Sequence, residues 1–189
     1  DGKKESLETV LSGKGCDKAA AFVNFCDAFN IPVLTLVNVK GYRADICSEK
    51  VIAKAAGRLT YAYANASVPK VTVIAKDALG SAGLTMGSKS LGTDIVYAWT
   101  GASIGMMDAK EAAKIMYAKE IEAAGDAVAL INEKAGEYAA LQSSALSAAK
   151  RGYVDDIIEA RETRQRVIAA FEMLFTKSED RPSKKHGTV

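Results

Sequence analysis

Histidine is almost missing: the only one, His186, lies in the basic tail RPSKKHGTV. A serine-histidine mechanism therefore has no obvious base, and a zinc or iron site lacks its usual nitrogen ligands. Cysteine is scarce as well. Cys16, Cys26 and Cys47 show no CxxC spacing, and their odd count suits a reducing compartment rather than a disulfide framework. They read as small buried hydrophobes, and no metal site is expected. Nor does one sign of charge dominate. Lys and Arg number 25 against 23 acids, a formal net charge of +2, and the two signs are interleaved. That balance argues against a nucleic-acid or membrane-surface partner. The longest apolar runs, such as IPVLTLVNV, are too short to span a bilayer. The segment DGKKESLETV does not have the pattern of a signal peptide, so the sequence reads as cytoplasmic.

What is present is an ordinary α/β composition, 49% hydrophobic and 25% charged. Residues 1–15 are polar and read as a loop or frayed leader. From Asp17 to Phe29 the positions Ala20, Phe22, Val23, Phe25, Cys26 and Phe29 fit a helical face, which Asn30 and Pro32 stop. Val33 to Val39 reads as a buried strand. Helical spacing returns over 48–66 through Val51, Ala55, Leu59, Tyr63 and Ala66, and after Pro69 comes a strand from Val71 to Ala75. Ile95 to Trp99 is a third strand and Ala102 to Met106 a fourth. The alternation predicts parallel strands with crossover helices.

Beyond Met107 the pattern is helical. Asp108 with Glu111 has the spacing of a capping box. Gly125 and Gly136 are expected to divide Ala109 to Lys150 into helices. Arg161 to Thr176 reads as a last amphipathic helix, with Val167, Ile168, Phe171, Leu174 and Phe175 on one side. No internal repeat or linker is visible.

The segment VIAKDALGSAGLTMGSK joins a β-branched strand to a helix through almost nothing but small residues. Such a junction presents free backbone N–H groups and the positive end of a helix dipole. Small side chains let an oxyanion approach those groups, so Gly80, Ser81, Ala82 and Gly83 read as a backbone oxyanion hole. The alternative is close packing of helix on sheet, which local sequence alone favours. Ser81 as a nucleophile lacks the GxSxG arrangement and a histidine, leaving only lysines such as Lys76 or Lys89 as formal bases.

Four blocks carry a resemblance: KAAAFVNFCDAFNIPVLTLVNVKGY, YAYANASVPKVTVIAKDALGSAGLTMGSKSLGTDIVYAW, AAKRGYVDDIIEARETRQRVI and RPSKKHG. In order and spacing they resemble the C-terminal half of the carboxyltransferase subunit of biotin-dependent acyl-CoA carboxylases and decarboxylases. The likeness runs from about Lys18 to Gly187 and implies a carboxyltransferase C-terminal domain over 16–189, after a polar leader over 1–15. It implies a crotonase-like fold of ββα turns in a superhelix with trailing C-terminal helices, here without its first strands. Enzymes of this kind move a carboxyl group between biotin and the α-carbon of a coenzyme A thioester. The C-terminal half faces a biotin borne on a carrier protein, and a separate N-terminal half binds the thioester, with the active site between halves of different subunits.

By that resemblance the backbone of Gly80, Ser81 and Ala82 forms the oxyanion hole. Gly41, Tyr42 and Gly83 adjoin the biotin, and Leu84 lines the acyl pocket. A CoA-binding half, a biotin carboxyl carrier protein and a homo- or hetero-oligomer are the implied partners. The family usually reads DVPGF where this chain has Asn38, Val39, Lys40, Gly41 and Tyr42 in a loop one residue shorter. Lys50 and Val51 stand where a glycine pair falls. These departures imply an altered biotin pocket, in which Lys40 and Arg43 could meet a carboxylate or a phosphate. A non-catalytic structural subunit or fragment of such a complex, and a serine peptidase using Ser81 on a related fold, are the competing readings.

Overall fold

The computed structural model describes residues 9–179. Strand β1 (Val10–Leu11) leads into helix α1 (Gly13–Ala28), where the Ser12 hydroxyl accepts a hydrogen bond from the Gly15 N–H at 3.1 Å. That bond satisfies one of the donors a helix start leaves open. Asn30, at a φ of 54°, turns the chain out of α1 and Pro32 prevents its continuation. Strand β2 (Val33–Val39) then alternates strictly, burying Val33, Thr35, Val37 and Val39 while Leu34, Leu36 and Asn38 face outward.

Strand β3 (Gly41–Tyr42) pairs in parallel with β1, and the Asp45 carboxylate caps helix α2 (Ile46–Glu49). Helix α3 (Ile52–Asn65) packs against α1. Cys16, Ala20, Val23 and Cys26 of α1 join Ala55, Leu59 and Ala62 of α3 in one buried cluster. Leu59 is fully buried, worth roughly 1.5–3 kcal/mol of transfer free energy.

Strand β4 (Lys70–Leu79) is the centre of the main sheet. It pairs in parallel with β2 on one side, and with β5 (Ile95–Trp99) and then β6 (Ser103–Gly105) along its length. Strand β7 (Asp156–Ile158) continues the sheet from β5, giving the order β2-β4-β5-β7 with β6 on β4. Val71 and Val73 face the last helix, while Ile74 and Ala78 face the short helix α4 (Gly80–Thr85) that follows β4 directly. Helices α5 (Ala109–Met116), α6 (Ala118–Ala123) and α7 (Ala127–Tyr138) precede a wider π-helical turn over Ala139–Ser143 and then α8 (Ala145–Lys150). Helix α9 (Thr163–Met173) closes the described chain and packs on the sheet through Val167 and Ala170.

One buried cation ties these layers together. Lys70, 2% exposed, donates from Nζ to the carbonyl oxygens of Tyr63 at 2.8 Å and Ala66 at 2.7 Å. Those carbonyls belong to the C-terminal end of α3, where open acceptors and the negative end of the helix dipole both favour an ammonium group. The Tyr63 hydroxyl in turn lies 2.9 Å from Thr35 Oγ1 on β2. Burial pushes the Tyr63 phenol above its ordinary pKa, partly offset by that contact.

The strand and helix alternation predicted from sequence is present, and every pairing in the main sheet is parallel. The differences have physical reasons. Residues 9–15 are not a frayed loop, because β1 pairs with β3 and α1 starts at Gly13; residues 1–8 lie outside the described part. The helical span expected over 48–66 is two helices, α2 and α3. Strand β4 runs on to Leu79 because β2 and β6 both offer it partners. Gly125 divides α6 from α7 as expected, whereas Gly136 sits inside α7 and the further breaks fall at Tyr117 and at the π-turn. Asp108 caps α5 by accepting from the Lys110 N–H at 2.9 Å, but Glu111 pairs with Lys114 at 2.8 Å. Phe22, Phe25 and Phe29 lie outside the core of this chain at 54–65% exposure, since the narrower Cys16, Ala20, Val23 and Cys26 stripe faces α3. Ile168 and Phe175 of the expected last-helix face are exposed as well.

Candidate functional site

The β4–α4 junction is built by two glycines with different tasks. Gly80 adopts a φ of 59°, a left-handed turn that leads the strand into the helix without a loop. A β-carbon there would also stand 3.1 Å from the Met106 carbonyl oxygen. Gly83 lets α4 settle on its own strand, for a β-carbon on it would stand 2.6 Å from the Ala78 carbonyl carbon and 2.9 Å from its oxygen. At these two positions the close-packing explanation of the small residues holds.

Ser81 and Ala82 remain. With Leu79 as the cap, they occupy the second and third positions of α4, whose N–H groups have no acceptor within the helix. The Ser81 side chain is exposed. Ala82 is 1% exposed and its methyl joins Val37, Val39, Ile74 and Ala78 in the core. One turn later, Thr85 donates from its hydroxyl to the Ser81 carbonyl oxygen at 2.8 Å, and the Tyr42 hydroxyl lies 2.8 Å from the same Thr85 oxygen.

A cavity of about 370 Å³ opens beside this junction. Gly80, Gly83 and Leu84 line it from α4, Ile104, Gly105 and Met106 from β6 and beyond, and Val37, Ile74 and Val96 from the sheet. Tyr138, Gln142, Arg151 and Tyr153 bring polar groups to it from the helical C-terminal region. The Arg151 guanidinium donates to the Gln142 side-chain carbonyl, and Lys89 pairs with Asp155 at 2.8 Å. The volume falls in the lower part of the range usual for small-molecule sites, and its mix of apolar wall and few polar groups is of that kind.

The predicted site residues are thus divided. Gly80, Gly83 and Leu84 face one cavity, whereas Ser81 and Ala82 are not among the residues lining it. Tyr42 reaches α4 at Thr85 and is not among the residues lining that cavity, and Gly41 lies in the small β1–β3 sheet with open space around its α-carbon. Lys40 approaches the buried Asp77 carboxylate at 3.9 Å, and Arg43 pairs with Asp45 at 3.1 Å. The Asp45 carboxyl is held below the usual range, first by the Ser48 backbone N–H and hydroxyl and then by the Arg43 charge. Sequence reasoning missed Thr85 and the wall from Tyr138 to Tyr153. For Thr85 a signal existed, since a threonine four residues after Ser81 can bond back to its carbonyl. The distant wall offered none.

Among the described residues no three His, Cys, Asp or Glu side chains converge as a metal-ligand set, and no helix is long and apolar enough to cross a membrane. Block RPSKKHG and its His186 lie outside the described residues.

The carboxyl transferase domain model matches residues 5–189. The chain is 46% identical over 188 residues to the propionyl-CoA carboxylase beta chain of Saccharopolyspora erythraea, covering 97% of this chain and 34% of that protein. It is 44% identical over 174 residues to the methylmalonyl-CoA decarboxylase subunit alpha of Propionigenium modestum, covering 92% and 34%. The crystal structure of the transcarboxylase 12S hexamer, with methylmalonyl-coenzyme A and methylmalonic acid bound, superposes with a TM-score of 0.87 at 44% identity over 95% of this chain and 35% of that one. The chain therefore spans about a third of the length of the relatives it matches, and its α/β architecture is the crotonase-like fold of these carboxyltransferases. A family match over nearly every residue, joined to a solved structure of the same fold, makes this chain a member of the carboxyl transferase domain family.

Proposed function

We propose that this chain is the biotin-facing part of an acyl-CoA carboxyltransferase or decarboxylase. The observation that carries the reading is the junction of β4 and α4, where a strand, a left-handed glycine and a helix start lie directly beside the cavity of about 370 Å³. Biotin, borne on a partner carrier protein, would carry the carboxyl group as its N-carboxylate, giving it to the thioester in carboxylation or taking it from the thioester in decarboxylation. The residues present fit the group: the ring system needs an apolar slot with polar groups at its edge, and the cavity has apolar walls from Ile74, Val96 and Ile104 with Gln142, Arg151 and Gly80 also lining it.

In this reading the backbone N–H groups of Ser81 and Ala82, with Gly80 shaping the approach, hold an oxygen that gains negative charge. Such donors cost no reorganisation at the moment of reaction. No side-chain acid or base is needed, which accords with a sequence that carries a single histidine in its basic tail and with the exposed position of the Ser81 side chain. Gly83 borders the biotin slot from the cavity wall, whereas Gly41 and Tyr42 stand outside that cavity and are assigned to the biotin side by the family resemblance, with Tyr42 reaching α4 at Thr85. Leu84, half-exposed at the cavity wall, contacts the acyl group and discriminates among thioesters. A CoA-binding companion half supplies the thioester, and the two assemble as a homo- or hetero-oligomer in the cytoplasm. Proximity between the two bound partners then contributes much of the rate.

The competing structural-subunit reading draws on the altered 38–51 loop, where Lys40 and Arg43 are engaged by Asp77 and Asp45. Two substitutions decide, assayed with the chain assembled with a CoA-binding companion and a biotinylated carrier. Ser81→Ala keeps the backbone and leaves transfer near the normal rate. Ala82→Pro removes a donor and lowers transfer about a hundredfold or more, the usual scale for losing one oxyanion contact. Normal transfer by a folded Ala82→Pro protein would refute the hole. Loss of transfer in Ser81→Ala would point to a nucleophilic serine instead.

A further inference from the structure

The Ser81 carbonyl and the Ala82 N–H are the two ends of one peptide group. Whatever grips the carbonyl therefore aims the donor. Thr85 Oγ1 donates to that carbonyl at 2.8 Å, and Tyr42 Oη lies 2.8 Å from Thr85 Oγ1. A threonine hydroxyl carries one hydrogen. With that hydrogen committed to Ser81, Thr85 can only accept from Tyr42, and the direction of the chain is fixed: Tyr42 O–H to Thr85 Oγ1, Thr85 O–H to the Ser81 carbonyl.

Threonines often bond back one helical turn with no functional consequence. Here the threonine is 5% exposed and is itself held by a phenol from a different element, placed by the pairing of Tyr42 with Leu11. Hydrogen bonds in such a series polarise one another, by roughly 10–30% per bond in condensed-phase estimates. Withdrawing electron density through the carbonyl makes the amide N–H at the other end of the same peptide a stronger donor.

We propose that Tyr42 and Thr85 are positioning residues that orient and polarise the Ser81–Ala82 peptide, coupling the turn around residues 40–43 to the Ala82 N–H. The functional part of this inference rests on the reading of that N–H as an oxyanion donor; the relay itself does not. Neither residue needs to touch substrate through its hydroxyl for the effect. A shift of the 40–43 turn is thereby transmitted to the peptide that carries the donor.

The test uses the full isotope-labelled chain and reads the Ser81 carbonyl carbon and the Ala82 amide by NMR. Thr85→Val removes the inner hydroxyl at nearly constant shape, and both resonances move upfield. Tyr42→Phe removes only the outer hydroxyl, and both move in the same direction by a smaller amount. Thr85→Ser restores the wild-type positions. Unmoved Ser81 and Ala82 resonances in Tyr42→Phe overturn the proposal, and that variant decides alone if Thr85→Val fails to fold. In the assembled enzyme, Thr85→Val lowers kcat about two- to tenfold with KM for the thioester unchanged, the scale of one ordinary hydrogen bond. An unchanged kcat with the NMR shifts in place would overturn the coupling to catalysis. Normal transfer by Ala82→Pro would instead overturn the hole, leaving the relay to stand or fall on its resonances.

Discussion

Gly83 lies so near Ala78 that a β-carbon on the glycine would stand 2.6 Å from the alanine's carbonyl carbon. Five residues apart in sequence, they form the floor on which α4 rests, and the height of that floor fixes where the first N–H groups of α4 sit. Backbone cannot yield as a flexible side chain can. Gly83→Ala is therefore expected to force α4 off the strand and to destabilise the fold by about 1–3 kcal/mol, the usual cost of overpacking. Urea unfolding measures it, and a stability equal to wild type would show that α4 can shift freely.

The lysine at the start of β4 gives a second expectation. Lys70 Nζ serves the Tyr63 and Ala66 carbonyls inside the protein. Lys70→Met keeps the length of the side chain and removes its donors, leaving buried acceptors without them. Each such orphan costs about 1–3 kcal/mol, so the variant should unfold at distinctly lower urea with an unchanged denaturant slope. A variant as stable as wild type would mean that water or rearranged backbone serves those carbonyls equally well.

These two cases also show what could be read from the sequence. The GSAG junction was legible because small residues between a strand pattern and a helix pattern are a local signal. The packing role of Gly83 against Ala78 follows once the strand is known to run to Leu79, which the pattern of Val71 to Ala75 did not reveal. Lys70 looks like a surface charge, since nothing local says that a helix end will lie over it. Strand β7 escaped for a related reason: three residues, Asp156–Ile158, become a strand only because β5 offers an edge some sixty residues upstream. Gly136 misled in the other direction. A glycine inside a helix costs only about 1 kcal/mol relative to alanine, and α7 runs through Gly136. The wall of the cavity from Tyr138 to Tyr153 was illegible for want of any local pattern linking it to α4.

The cysteines offer a third check. Burial raises the pKa of the Cys16 and Cys26 thiols, with the neighbouring Asp17 charge adding to the effect at Cys16, whereas Cys47 is exposed on α2. Raised pKa means less thiolate at any pH below it, and thiolate is the reactive form. Iodoacetamide at mildly alkaline pH should label Cys47 alone on the folded chain and all three thiols in denaturant, as read by peptide mass mapping. Equal labelling of Cys16 in the folded protein would contradict the packing of α1 on α3.

On the proposed reading, the oxygen held by the N–H groups at the start of α4 is the ureido oxygen of biotin. Titrating the isotope-labelled chain with biotin methyl ester, while following the Ser81 and Ala82 amide resonances, tests it most directly. Both amides are expected to move downfield saturably at millimolar ligand, with residues lining the cavity such as Gly80 and Ile104 responding alongside. Saturable binding that perturbs other regions while Ser81 and Ala82 stay fixed, or no binding at all, would contradict that reading.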